Sequence, residues 1–141
     1  MSKKKNHPIS GGEAVVECLK AYNIKYVFGL IGSATMELFD ALYHEKSITF
    51  IDVRDERTGA HMADAFARAS GSNGVIIAGQ NGPGATNLVT GVAQAKAAFS
   101  PLLSIAGAIA TEHQGKDAFQ EVDQQKLFEP ITKKTFSIKN T

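Results

Sequence analysis

One short run, Gly74-Val75-Ile76-Ile77-Ala78, limits what this chain can become. A strand with one face in water alternates apolar and polar side chains. This run has no polar member, so a strand here must be covered on both faces, as in a parallel sheet between helices. The neighbouring patterns agree. Ser10-Gly-Gly-Glu13 has capping-box spacing, and behind it Val15, Cys18, Leu19 and Tyr22 recur at helical intervals and predict a buried stripe. Lys25–Phe28 reads as a strand stopped by Gly29. Met36, Phe39, Leu42 and Tyr43 mark a second helix, and Ile48–Val53 a second strand. Glu56–Ala69 is an alanine-rich helix with Gly71 as its C-cap. Ala85–Ala98 reads as a fourth helix with Leu88, Val89, Val92 and Ala93 inward. Leu102–Ala106 is a further strand, extending towards Ile109. A short helix over Val122–Leu127 and a last strand over Thr135–Ile138 complete the pattern. Alternating strands and helices predict an α/β fold, a parallel sheet with helices on both faces.

Composition excludes several roles. The net charge of +1 gives no bulk attraction for nucleic acid, and Lys3-Lys4-Lys5 reads as part of a solvated, frayed tail over residues 1–9. The single cysteine, Cys18, cannot form an internal disulfide and is expected in the core. No cluster has metal-ligand spacing, no apolar stretch reaches the roughly 18 residues of a membrane span, and no leader pattern opens the chain. A cytoplasmic protein is the default expectation.

Ligands of open parallel sheets bind beyond the carboxyl ends of the strands. That rule selects four loops: Leu30–Thr35, Arg54–Thr58, Gly79–Ala85 and Thr111–Glu121. Gly79-Gln-Asn-Gly-Pro-Gly84 leads into a helix, but it is neither a Walker loop nor a dinucleotide fingerprint. On spacing alone, a tight strand-to-helix connection is a better account of it than a bound phosphate. Glu56 opens a helix of small and apolar residues. It is either a solvated acid favoured by the helix dipole or a dry carboxyl able to exchange a proton with a ligand. His61 and His113 belong to no grouping of nucleophile and base.

Taken together, the loops resemble one family. Arg54-Asp-Glu56-Arg-Thr-Gly-Ala-His-Met-Ala-Asp-Ala-Phe-Ala-Arg-Ala-Ser-Gly71 is similar to the glutamate helix of acetolactate synthases. Gly82-Pro83-Gly84-Ala-Thr-Asn87 resembles their Gly-Pro-Gly turn, and Asp117-Ala-Phe119-Gln120-Glu121 their substrate-side loop. The resemblance runs from about Ser10 onward and implies the N-terminal pyrimidine-binding (Pyr) domain of thiamine-diphosphate-dependent enzymes, a Rossmann-like three-layer unit. Ile31-Gly32-Ser33 and Gln80-Asn81 depart from the usual acetolactate synthase residues and look more like sulfoacetaldehyde acetyltransferase. Asp55 stands where His is common in both.

The resemblance implies that Glu56 contacts the pyrimidine ring of thiamine diphosphate and activates the cofactor. It implies that Gly82, Pro83, Gly84 and Asn87 bind the cofactor, and that Gly32, Ser33, Gln80, Phe119 and Gln120 face a carbonyl substrate, a 2-oxo acid or sulfoacetaldehyde. Mg²⁺ and the diphosphate belong, in such enzymes, to a second domain with a Gly-Asp-Gly motif, which this sequence lacks. Residues 10–141 are therefore expected to form a Pyr domain short of its last helix and strand. The partner is a diphosphate-binding domain on the same or another chain, in a homodimer or tetramer, and this chain alone is expected to be inactive. A subunit of a split decarboxylase such as sulfopyruvate decarboxylase, or a non-catalytic fragment keeping the dimer surface, are the alternatives.

Overall fold

The structure is a computed structural model and describes residues 8–139; most of the tail expected over 1–9 lies outside them. Helix α1 (Gly11–Ala21) leads to strand β1 (Tyr26–Gly29), and a 3-10 turn at Ser33–Thr35 leads to α2 (Met36–His44). Then come β2 (Thr49–Asp52), α3 (Glu56–Ser70), β3 (Gly74–Ala78), α4 (Pro83–Asn87), α5 (Val89–Ala97) and β4 (Leu102–Ala106). A long loop follows, containing a 3-10 turn at Thr111–His113, and α6 (Gln124–Phe128) runs into a further turn at Glu129–Ile131. The four strands pair in the order β2-β1-β3-β4, all parallel.

The apolar run forms the middle of the sheet, for the reason its composition implies. Val75, Ile76, Ile77 and Ala78 are all 0% exposed. Val75 and Ile77 point to one face, where they meet Val16 and Leu19 of α1 and Leu38, Phe39 and Leu42 of α2. Ile76 and Ala78 point to the other, where Ala60 and Ala63 of α3 and Val92 of α5 cover them. β1 is shared in the same way: Val27 joins the first layer and Phe28 the second. The chain leaves β1 towards β2 on one side and returns to β3 on the other, so β1 and β3 flank the point where the strand order reverses.

Helix ends follow local chemistry. The Ser10 hydroxyl accepts from Glu13 N–H at 3.2 Å, while the Glu13 carboxylate accepts from Ser10 N–H at 2.7 Å. Asp55 caps α3 by accepting from Thr58 N–H at 3.1 Å. Gly71 ends α3 in the left-handed conformation, φ 68°.

Several expectations are corrected. Cys18 is exposed, and so is Tyr22; of the expected stripe α1 buries Leu19, and Gly12 and Val16 are buried with it. Met36 and Tyr43 are exposed, while Leu38 joins Phe39 and Leu42 inside. The fourth helix is divided at Leu88, whose N–H bonds to Ala85 O at 3.0 Å, a tighter turn than the α-helical spacing. β4 ends at Ala106, short of Ile109, and Thr135–Ile138 forms no strand. The last short helix begins at Gln124, after Asp123 accepts from Lys126 N–H.

Two side-chain networks tie elements together. Asp64 of α3 is 1% exposed; it accepts from Arg68 at 3.2 and 2.9 Å and from the Ser100 hydroxyl just before β4. Between α1 and the end of α2, Glu45 accepts from Ser47 N–H at 2.7 Å and pairs with Lys20 at 2.9 Å. The Ser47 amide first, and Lys20 next, lower the Glu45 carboxyl to about 2. A depressed folded-state value stabilises above the ordinary carboxyl range, and the contribution is lost as pH falls through about 2. Thermal melts from pH 7 to 2 should therefore fall less steeply below about pH 4.5 for Glu45→Gln than for the parent. Parallel curves would remove Glu45 from the account.

Candidate functional site

All four loops selected from the sequence lie at the carboxyl ends of the strands, and three of them are joined by hydrogen bonds. The Thr35 hydroxyl donates to Ala78 O at 3.1 Å, tying the loop after β1 to the end of β3. Gly32 packs directly on the backbone of Gly79. The Ser33 hydroxyl donates to Gln80 Oε1 at 2.8 Å, and Gln80 Nε2 donates to Gln120 Oε1 at 3.0 Å. Asn81 Nδ2 donates to Phe119 O at 3.2 Å and to Gln120 O at 3.0 Å.

Gly82 closes this junction. Its φ is 55° and its ψ −103°, a conformation that L side chains rarely adopt, and a Cβ there would stand 2.1 Å from Gln120 O. Pro83 then occupies the first turn of α4, where its missing N–H costs no helical bond.

Glu56 is the first residue of α3 and is 4% exposed. Its Oε2 accepts from Asn87 Nδ2 of α4 at 3.1 Å. Its Oε1 lies 3.0 Å from where a Gly84 side chain would begin, and no described residue donates to it. No ion pair is formed by Glu56 among the described residues. The structure thus brings Glu56, Gly84 and Asn87 together and buries most of the Glu56 side chain at the start of α3. A buried carboxyl with one oxygen steadied by an amide and the other without a protein partner suits a ligand nitrogen that donates or shares a proton.

Phe119 is 81% exposed at the rim, and Gln120 is held beneath it with φ 60°. His61 and His113 are both exposed. Sequence reasoning singled out Gln80 and missed Asn81, which is 5% exposed and binds the substrate-side loop by its backbone. The available signal was an unusual pair of amides before Gly-Pro-Gly. Two open hollows are not lined by Glu56: one is lined by Ser10, Met36, Glu37 and Asp40, the other by the start of α1 and residues 33–38, so it borders the first loop at Ser33. Among the described residues no group of three or more His, Cys, Asp or Glu could hold a metal ion, and no helix is long and apolar enough to cross a membrane.

A buried helix-start carboxyl beside a glycine-rich turn, at the carboxyl ends of the strands of a parallel sheet, is an arrangement of the kind that holds ligands in open α/β domains. The chain belongs to the family described as thiamine pyrophosphate enzyme, N-terminal TPP binding domain, whose model matches residues 9–127. It is 47% identical over 131 residues to a probable acetolactate synthase large subunit of Methanocaldococcus jannaschii, covering 93% of this chain and 22% of that protein. It is 42% identical over 133 residues to the acetolactate synthase isozyme 3 large subunit of Escherichia coli, covering 94% and 23%. For the acetolactate synthase large subunit of Lactococcus lactis the identity is 39% over 138 residues, covering 98% and 24%. The chain therefore spans less than a quarter of the length of these relatives.

Proposed function

We propose that this chain is the pyrimidine-binding part of a thiamine-diphosphate-dependent carboligase or acyl-transferring enzyme of the acetolactate synthase type, and that Glu56 activates the cofactor. The observation that carries this reading is the buried Glu56 carboxyl, with Oε2 held by Asn87 and Oε1 without a protein partner. Thiamine diphosphate, when bound, supplies the carbanion-stabilising chemistry, and the protein supplies position and a dry setting. Glu56 would hold a proton between its carboxyl and a pyrimidine ring nitrogen. Asn87 would fix the carboxyl's rotation. The Gly82-Pro83-Gly84 turn would let the backbone lie close to the ring. Gly32, Ser33, Gln80, Phe119 and Gln120 would form the side towards a 2-oxo acid or aldehyde. The largely exposed Phe119 ring suits a wall completed by a second domain.

Mg²⁺ and the diphosphate would be held by that second domain, on the same or another chain, in an oligomeric cytoplasmic enzyme. In this reading residues 10–141 act as one Pyr unit and residues 1–9 stay outside it. The test is reconstitution with a diphosphate-binding domain carrying Gly-Asp-Gly. Pyruvate or sulfoacetaldehyde should be consumed only when both parts, thiamine diphosphate and Mg²⁺ are present. Cofactor-dependent turnover by the 141-residue chain alone would contradict the half-site reading, and no cofactor binding by the reconstituted pair would end the whole proposal.

A further inference from the structure

We propose that Asn81 is a positioning residue that holds the Phe119–Gln120 segment as the substrate-side wall, a role that rests on the cofactor-binding reading above. The side chain is 5% exposed, and its amide nitrogen reaches two successive carbonyls, Phe119 O at 3.2 Å and Gln120 O at 3.0 Å. Both partners are acceptors only, so the amide is held with its NH₂ towards the loop. The neighbours of Asn81 complete the seat. Gln80 Nε2 donates to the Gln120 side chain, and Gly82 leaves the space that Gln120 O fills.

The segment needs such a seat, because it does not hold its shape through regular structure. It belongs to no helix or strand, and both Asp117 and Gln120 have positive φ, 52° and 60°. Left-handed backbone is unfavourable for residues with side chains and persists where surrounding contacts impose it. Glu121 holds the other flank by accepting from Gly115 N–H at 2.6 Å and Ala118 N–H at 3.1 Å. The same amides, Gly115 first, lower the Glu121 carboxyl below the usual range. Asn81 thus acts on the substrate through Phe119 and Gln120, while Glu56 is served by a different residue, Asn87. The two halves of the site have separate supports and are separable by mutation.

Amide hydrogen exchange on the purified chain tests this directly. Asn81→Ala should speed exchange of residues 118–121 by about tenfold, with α3 and β3 unchanged. Asn81→Ser, which keeps a small polar side chain, serves if the alanine variant does not fold, and the same localised acceleration is expected. In the reconstituted enzyme, Asn81→Ala should raise KM for the carbonyl substrate by about tenfold while thiamine diphosphate affinity stays within about twofold. Unchanged loop exchange, acceleration spread through the sheet, or a matching loss of cofactor affinity would each overturn the proposal. Should the parent protein bind no thiamine diphosphate, the functional reading falls, and the exchange result still decides whether Asn81 holds the loop.

Discussion

Glu56→Gln should slow C2–H exchange of bound thiamine diphosphate by about 10²–10⁴-fold, the span usual for loss of a positioned acid or base. The measurement is deuterium exchange followed by NMR in protein reconstituted with a diphosphate-binding domain. Glutamine has nearly the shape of glutamate, and its amide oxygen can still accept from Asn87. The 3.1 Å bond that steadies the side chain therefore survives, and thermal stability should change little. What glutamine cannot do is hold an exchangeable acidic proton against the ring. Asn87→Ala makes the complementary change: the carboxyl stays, but nothing fixes its rotation, so a smaller loss is expected. An exchange rate in Glu56→Gln equal to that of the parent would remove Glu56 from the chemistry.

Gly82→Ala is expected to produce a large structural effect for a single methyl, because it combines a positive φ with a backbone clash. The backbone there has φ 55° and ψ −103°, and the added Cβ would meet Gln120 O at 2.1 Å. Strained backbone of this kind costs about 1–3 kcal/mol, and overpacking against a fixed carbonyl adds a comparable amount. The chain can relieve the clash only by releasing Gln120, which breaks the Asn81 contacts too. Urea unfolding should show a lower midpoint with an unchanged slope. Alanine at Gly71, which has φ 68° but nothing within 4 Å of a Cβ, should cost only the conformational part. Equal losses at the two positions would mean that the contact with Gln120 contributes nothing.

The sheet was readable because its signal is a composition rule. Val75–Ala78 contains no polar residue, and a strand covered on both faces requires that. Glu56 was readable only as two alternatives, since a helix-start acid looks the same in sequence whether wet or dry. Its burial depends on neighbours, Gly84 and Asn87, that lie 28 and 31 positions further on. The buried stripe of α1 was misread for a related reason. Its contact with α2 runs through Gly12, where a Cβ would lie 2.3 Å from Glu37 O, so the helices meet where hydrophobicity gives no mark. Cys18 and Tyr22 sit outside that contact and face water. Asn81 stood out in sequence only as an unusual residue without a role, because a buried amide is distinguished from a loop amide by its acceptors, here two carbonyls 38 and 39 residues away.

Helix α3 carries Glu56 at its first position and Asp64 eight residues later. Those two side chains are both buried, and each is bound to a different part of the chain: Asn87 at one end, Ser100 at the other. Eight residues span about 12 Å along a helix and a little over two turns. A rod fastened at two points on its length can neither slide along the sheet nor roll about its axis. A roll by a single residue step, about 100°, would pull both carboxylates out of their sockets. The aim of the Glu56 carboxyl is thus set in part by a serine at the far margin of the sheet, and damage to that remote fastening should be felt as misdirection at the ligand end.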